Sequence, residues 1–484
     1  MKRTPALGLA VSFAVALLAC GAKVQEEAKA EPSAPVPVTP TPGADASVDA
    51  PVAPTSCGAG LPKLSCATTS APPTSAAAVA QFVKDNAIPI RCSAGGKSAW
   101  DLRPLLELYG DQKIFAIGEV HGTNEIGIVS SLLLDELAAK GLVNVVAFEM
   151  PMDLEAPLQR YVDTGSDATA DRMLKYFAQN MFGSILTRRA REQQLAGRDL
   201  TIAAVDIPQD PMFAVRAIEN VAKGLTTQKD AVLTTLPTTI GQPPSQADIT
   251  SVKSYFDQII AQKTQICAEL SPADCDRLVA MTHALWASTL AYDDGEAQSQ
   301  LWFARREEVI YYNMKAKMAA PTDRMFLHMG AFHTNKHEAS AGSRMANEYA
   351  LTKGKVFSVA PAYGDGSVIW YGEDVDLPGE PATITGALTD KPSSTFFVST
   401  TRPSPACVGN PLGEEREDTV GVGGTRGDLY DGYIHYGLVT SERRPSEATL
   451  SRELGAKGMK EMASLAAFRE RIARREKTAL GLRR

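Results

Sequence analysis

Apolar residues along the chain fall into two alternating patterns: short continuous runs that end on an acid, and longer stretches where apolar positions recur every three or four residues. The runs are IFAIG before Glu119, VVAF before Glu149 and LTIAAV before Asp206. Continuous apolarity over such short spans marks strands buried on both faces, as in a parallel sheet. Between the first two runs, Ile128, Leu132, Leu133 and Leu137 recur at helical intervals until Gly141. Strand, helix, strand of this length predicts a βαβ unit with parallel strands, whose C-terminal ends share one rim. Glu119, Glu149 and Asp206 then meet at that rim.

Later segments extend the pattern. Leu154 to Gln194 reads as helical, Gly224 to Asp248 as a Thr-, Pro- and Gln-rich loop, and Ile249 to Ala319 as helical with no strand signal. Strand-like sequence resumes in MFLHM, VFSVAPA, SVIWYG, TFFVST and YIHY, so the stretch of about 249–319 is expected to be an insertion or cap. Its last helix carries Arg306 and Asn313, two turns apart and therefore on one side. The predicted fold is α/β, a central mainly parallel sheet flanked by helices, with a helical insertion or cap.

The ends of the 484-residue chain depart from this pattern. Lys2 and Arg3 precede an uncharged run from Ala6 to Leu18, too short to span a bilayer and of the kind found in export signals. Leu17-Leu18-Ala19-Cys20 resembles a bacterial lipobox, which implies lipidation at Cys20 and an exported lipoprotein, membrane-anchored and facing the periplasm or the cell surface. Residues 21–80 are rich in Ala, Pro, Thr and Ser; they cannot bury enough apolar surface to offset their ordering entropy and are expected to form a tether. The expected α/β domain covers 81–440. Residues 441–484 are expected to form a basic amphipathic helix, with Met459, Met462, Leu465, Phe468 and Ile472 at helical spacing for docking on that domain.

Charge and cysteines narrow the chemistry. A net charge of −7 argues against a nucleic-acid partner. Setting Cys20 aside, Cys57, Cys66, Cys92, Cys267, Cys275 and Cys407 form an even set suited to disulfides in an oxidising compartment. Cys267 and Cys275 bracket a helix end and a Pro turn and are expected to pair, while the other four allow three pairings. No CxxC spacing occurs, which removes the usual cysteine metal site.

No GxSxG, HExxH, complete Walker A or dinucleotide fingerprint is present, and GVGG lacks the strand and GK[ST] of a phosphate loop. What remains is GEVHGTNE, with Glu119, His121 and Glu125; the strand-end acids Glu149 and Asp206; the Arg306/Asn313 helix; and Gly330 to His333. An imidazole near pKa 6.5 can accept a proton from water, a carboxylate can fix its tautomer, and an arginine or second imidazole can stabilise an oxyanion. The same groups can instead hold a divalent metal.

GExHGTxE after an apolar strand, FE at Phe148-Glu149, VDI at Asp206, the R-E-x5-N from Arg306 to Asn313, GxxH before a helix and YDGYIHY together resemble the erythromycin esterase-like hydrolases. These belong to a wider superfamily with ChaN-type haem-binding lipoproteins and TIKI-type metalloproteases. The resemblance covers roughly Asp101 to Leu438 and implies water-mediated cleavage of a small-molecule ester or lactone, with no cofactor required. It implies His121 as general base, oriented with the water by Glu119 and Glu149; His333 and Arg306 contact the substrate or oxyanion, and Asp206, Asn313 and Glu125 line its binding site. In the metal-dependent alternative, Glu119, His121, Glu149 and His333 would be ligands; a further alternative is haem or iron binding without turnover. The esterases usually carry HNxH where this chain has Gly330-Ala331-Phe332-His333, a form closer to the other two branches. His283, His337 and His435 are expected to be structural or solvated.

Overall fold

The computed structural model describes residues 75–94, 97–176, 183–292, 299–337, 339–370, 373–377, 379, 381–388, 395–400, 410–416, 424–441 and 446–479. The signal segment with Cys20, the tether up to residue 74, and Cys57, Cys66 and Cys407 lie outside the described residues, as do 177–182 of the expected helical stretch and most of GVGG.

Each predicted apolar run is a strand. The strands of the main sheet are β1 (Ile88–Pro89), β2 (Ile114–Glu119), β3 (Val145–Pro151), β4 (Thr201–Asp206), β5 (Met325–Gly330), β6 (Val356–Ala362), β7 (Phe396–Ser399) and β8 (Gly432–His435). They form one eight-stranded sheet in the order β1-β7-β8-β6-β2-β5-β3-β4. The six strands from β8 to β4 are mutually parallel, and β7 pairs antiparallel with both β1 and β8. SVIWYG is the exception among the predicted strands, because Gly366–Trp370 pairs with Glu373–Leu377 in a separate ribbon.

Alternate residues of these strands enter opposite layers, which is why both sets had to be apolar. Phe115, Ile117, Val146, Phe148, Ile202, Ala204 and Phe326 pack with α1 (Asn124–Ala139) and the helices around it. On the other face Ile114, Ala116, Val145, Ala147, Ala203, Val205, Met325 and Leu327 meet Ile310, Tyr311 and Met314.

Those last residues show how the predicted helical insertion sits on the sheet. The helices α2 (Pro211–Ala222), α3 (Gln246–Ala261), α4 (Pro272–Leu290) and α5 (Ser299–Lys317) share an apolar cluster built on Ile218, Phe256, Leu285, Trp286 and Trp302. But α5 also presses Ile310 and Met314 onto the sheet. The end of the insertion is therefore a face layer, and the other helices stack outside it. Within the expected loop, Lys229–Leu233 is a short helix. Cys267 and Cys275 form the predicted disulfide across the turn into α4.

The chain turns from β5 through α6 (Ala331–Thr334). The C-terminal α7 (Glu447–Ala479) is broken at Gly455, whose φ of 64° and ψ of 176° are not helical. Met462, Leu465, Phe468 and Ile472 are buried, and Met459 is half-buried. Met462 and Leu465 join the cluster of one sheet face, whereas Phe468 and Ile472 join that of the insertion. This helix thus bridges the two apolar clusters.

Candidate active site

The rim forms as the apolar runs imply, with one strand interposed. β2 and β3 are not neighbours: β5 lies between them, placing Gly330 opposite Glu119 and His328 opposite Phe148. A Cβ on Gly118 would come within 2.9 Å of Ala331 Cα, so glycine lets α6 turn closely over β2. Gly330 opens the space itself. A Cβ there would stand 3.5 Å from each of His121 Nε2, Glu149 Oε2 and His333 Cδ2.

His121 lies between two carboxylates. Its Nδ1 is 3.0 Å from Glu119 Oε1 and its Nε2 3.5 Å from Glu149 Oε2. Burial alone would depress its pKa, but Glu149 and Glu119 together push it up to about 9. This departs from the ordinary value near 6.5 used above: at neutral pH the ring is an imidazolium. Burial likewise opposes the charge of Glu119, yet the imidazoles of His328 and His121 hold its carboxyl below the ordinary range. His328, 1% exposed, stands with Nε2 3.6 Å from Glu119 Oε2 and makes no hydrogen bond through that atom. Burial lowers its pKa, against the opposing pull of the Glu119 carboxylate.

The opposite side is a closed ion-pair network. Arg306, from α5, donates through Nε to Asp206 Oδ1 at 2.8 Å, through Nη2 to Asp206 Oδ2 at 3.0 Å, and also to Glu149 Oε1. Arg469, from α7, adds a bond to Asp206 Oδ2 at 2.9 Å and stands 3.5 Å from Glu149 Oε1. Glu149 Oε2 accepts the Gly330 amide at 3.1 Å. Burial opposes the charge of Glu149, but Arg306, His121 and His333 hold its pKa well below the ordinary carboxylate value. His333 donates through Nδ1 to Glu307, whose other oxygen accepts the Ala341 amide at 2.7 Å. Its Nε2 is 2.9 Å from Glu476 Oε1 of α7. Despite burial, Glu307 and Glu476 raise His333 well above its ordinary value, so it too is cationic.

His121, Glu119, Glu149, His333 and Arg306 are therefore brought together. Asp206 joins them as an anchor, because Ile207 N, Arg306 and Arg469 occupy its oxygens and it is fully buried. It caps no helix; Asp210 caps α2. Asn313 lies outside the network, donating to Val205 O at 2.9 Å. Glu125 also lies outside it, accepting from Thr440 N and Oγ1 at 2.8 and 2.7 Å beside a separate cavity of about 410 Å³. His283 packs edge-on against Phe256, with ring centroids 5.0 Å apart.

Glu307, His328, Arg469 and Glu476 are the residues that sequence reasoning did not assign. A signal existed for two of them. Leu465, Arg469, Ile472 and Glu476 follow the i, i+4, i+7, i+11 spacing of one helix face, so two charges lie on the apolar stripe of the tail.

Together these features define an α/β protein with two cationic imidazoles and a buried arginine among carboxylates, at the C-terminal rim of a parallel sheet. No protein-family model matches the chain, and no curated protein matches it in sequence. Solved structures do share its fold. A Bacillus cereus protein covers 77% of this chain and 100% of its own at 14% identity, with a TM-score of 0.53. The erythromycin esterase EreC, in an open conformation, covers 71% and 96% at 12% identity, with a TM-score of 0.51. A succinoglycan biosynthesis protein covers 77% and 99% at 12% identity, with a TM-score of 0.53. The fold implied by the GExHGTxE resemblance is the fold observed.

Proposed function

We propose that this protein is a hydrolase that activates water at His121 to cleave an ester or lactone. The observation that carries this reading is the gap above Gly330, walled on one side by His121 Nε2 and Glu149 Oε2 and on another by His333. Water in that gap lies within reach of a base and a carboxylate, with the cationic pair His333 and Arg306 beyond. In the reaction, neutral His121 takes the water proton as oxygen attacks the carbonyl carbon. The oxyanion faces His333 and Arg306, and His121 returns the proton to the alkoxide as the C–O bond breaks. His121→Gln should lower turnover at least ~1000-fold across a panel of esters and lactones, since it removes the only proton acceptor in this scheme. Undiminished hydrolysis by that variant would sink the mechanism.

A metal-dependent reading has support of its own. Donor atoms of Glu119, His121 and Glu149 lie within 4.8 Å of one another, and His328 Nε2 is an orphaned buried nitrogen beside them. Two carboxylates and an imidazole suit a divalent cation, which would supply a water of lowered pKa. Assays with and without exhaustive chelation separate the two readings.

We further propose that the protein acts from a membrane surface, held through Cys20, on the strength of the N-terminal sequence. No helix of the described residues is long and apolar enough to cross a membrane. Loss of radiolabelled fatty acid from a Cys20→Ala variant is the expected result.

A further inference from the structure

α7 places a carboxylate on the cationic wall of the site. Glu476 Oε1 lies 2.9 Å from His333 Nε2 and 3.3 Å from Arg306 Nη1, so one oxygen meets both donors. Glu476 is 15% exposed, whereas Arg306, His333, Glu149, Asp206 and Glu307 range from 0% to 2%. It therefore stands between this network and solvent. Upstream, Gly455 interrupts the helix before the arm that carries it.

We propose that Arg306 and His333 form a binding site for a monoanionic carboxylate, and that Glu476 fills this site as an intramolecular competitor. For the hydrolase proposed above, on which this part rests, the ligand is the carboxylate product and the related oxyanion, so the C-terminal helix must withdraw Glu476 before turnover. Charge selects the class of ligand. Arg306, Arg469 and His333 are set against Glu149, Asp206 and Glu307, so this wall is balanced before Glu476 is added. One further negative charge is accommodated, as Glu476 demonstrates; a dianion such as phosphate would meet net repulsion.

The relation between occupancy and affinity gives the test. A ligand binding only the fraction of molecules whose site is open has its apparent Kd raised by the inverse of that fraction. If Glu476 fills the site in nine molecules of ten, freeing it tightens binding about tenfold. Acetate is titrated calorimetrically into the full chain and into Glu476→Gln, with inorganic phosphate as a second probe. The expected result is at least about tenfold tighter acetate binding in the variant, with no gain for phosphate. Glu470→Gln, on the same helix but 44% exposed and paired with Arg474, should leave acetate binding unchanged. Glu476→Asp keeps the charge but withdraws it by one methylene; it should give an intermediate affinity and serves as the test if the Gln variant unfolds. Acetate affinity that is equal or weaker in the Glu476 variants would overturn the proposal, as would an equal gain for phosphate. The readout needs no turnover. Tighter acetate without any ester hydrolysis removes the hydrolase reading alone, and hydrolysis without tighter acetate removes the carboxylate site alone.

Discussion

The two sides of the rim are built from different material. Glu119, His121 and Glu149 come from strand ends or the turn just after one, and His121 keeps 20% of its side chain exposed. The other side draws on β4, α5, α6 and α7, and its arginines, His333 and Asp206 are at most 6% exposed. On the first side a charged imidazole remains partly open to solvent. On the second, every cation is already matched by carboxylates. A group that must gain or lose a proton during turnover needs room and access; a group that holds a fixed charge needs saturated partners. The comparison assigns proton transfer to the strand-borne side and fixed positive potential to the helix-borne side.

That division can be broken by experiment, and the largest expected effect after loss of turnover in His121→Gln falls on the second side. Arg306→Met should destabilise the fold by about 3–5 kcal/mol, because Asp206 and Glu149 would stay buried without their main counter-charge. Chemical denaturation measures this, and a loss under about 1 kcal/mol would show that the network is not structural. Next comes pH. His121 has a folded pKa of about 9 against an ordinary 6.5, so its stabilisation is fully present below pH 6.5 and is lost as pH rises towards about 9. The span corresponds to on the order of 3 kcal/mol. Hydrolysis by the metal-free route should run the opposite way, increasing up to about pH 9 as His121 becomes a neutral base. A chelator-resistant activity already at its plateau by pH 7 would contradict this. The smallest effect is at Asn313. Asn313→Ala should cost about 1 kcal/mol for one hydrogen bond to Val205 and leave KM unchanged; a large rise in KM would return Asn313 to the substrate site.

Much of this was legible in the chain. IFAIGE, VVAFE and TIAAVD became parallel strands with their acids at one rim, because a strand buried on both faces must be apolar throughout and can become polar only where it leaves the sheet. Cys267 and Cys275 paired, since eight residues of helix end and turn keep their ends close. The insertion of β5 between β2 and β3 was not legible, since strand order depends on long-range pairing that no local pattern encodes. Nor was the fate of Asp206. An acid closing a strand looks the same in the sequence whether it meets a substrate, a helix N-terminus or, as here, two arginines.

The sequence by itself determined that GEVHGTNE would present an imidazole between acids, because Glu119 and His121 are two residues apart where a strand ends. Only the tertiary structure decided the charge of that imidazole, by bringing up Glu149 from a strand two places away, which with Glu119 outweighs burial. Only the tertiary structure, likewise, brought Arg469 and Glu476 from the far end of the chain to face it. The helical stripe of Met462, Leu465, Phe468 and Ile472 required that the tail dock on apolar surface. Where it docked depended on the surface left uncovered between the two clusters, and that surface exists only once the sheet and its helices have packed.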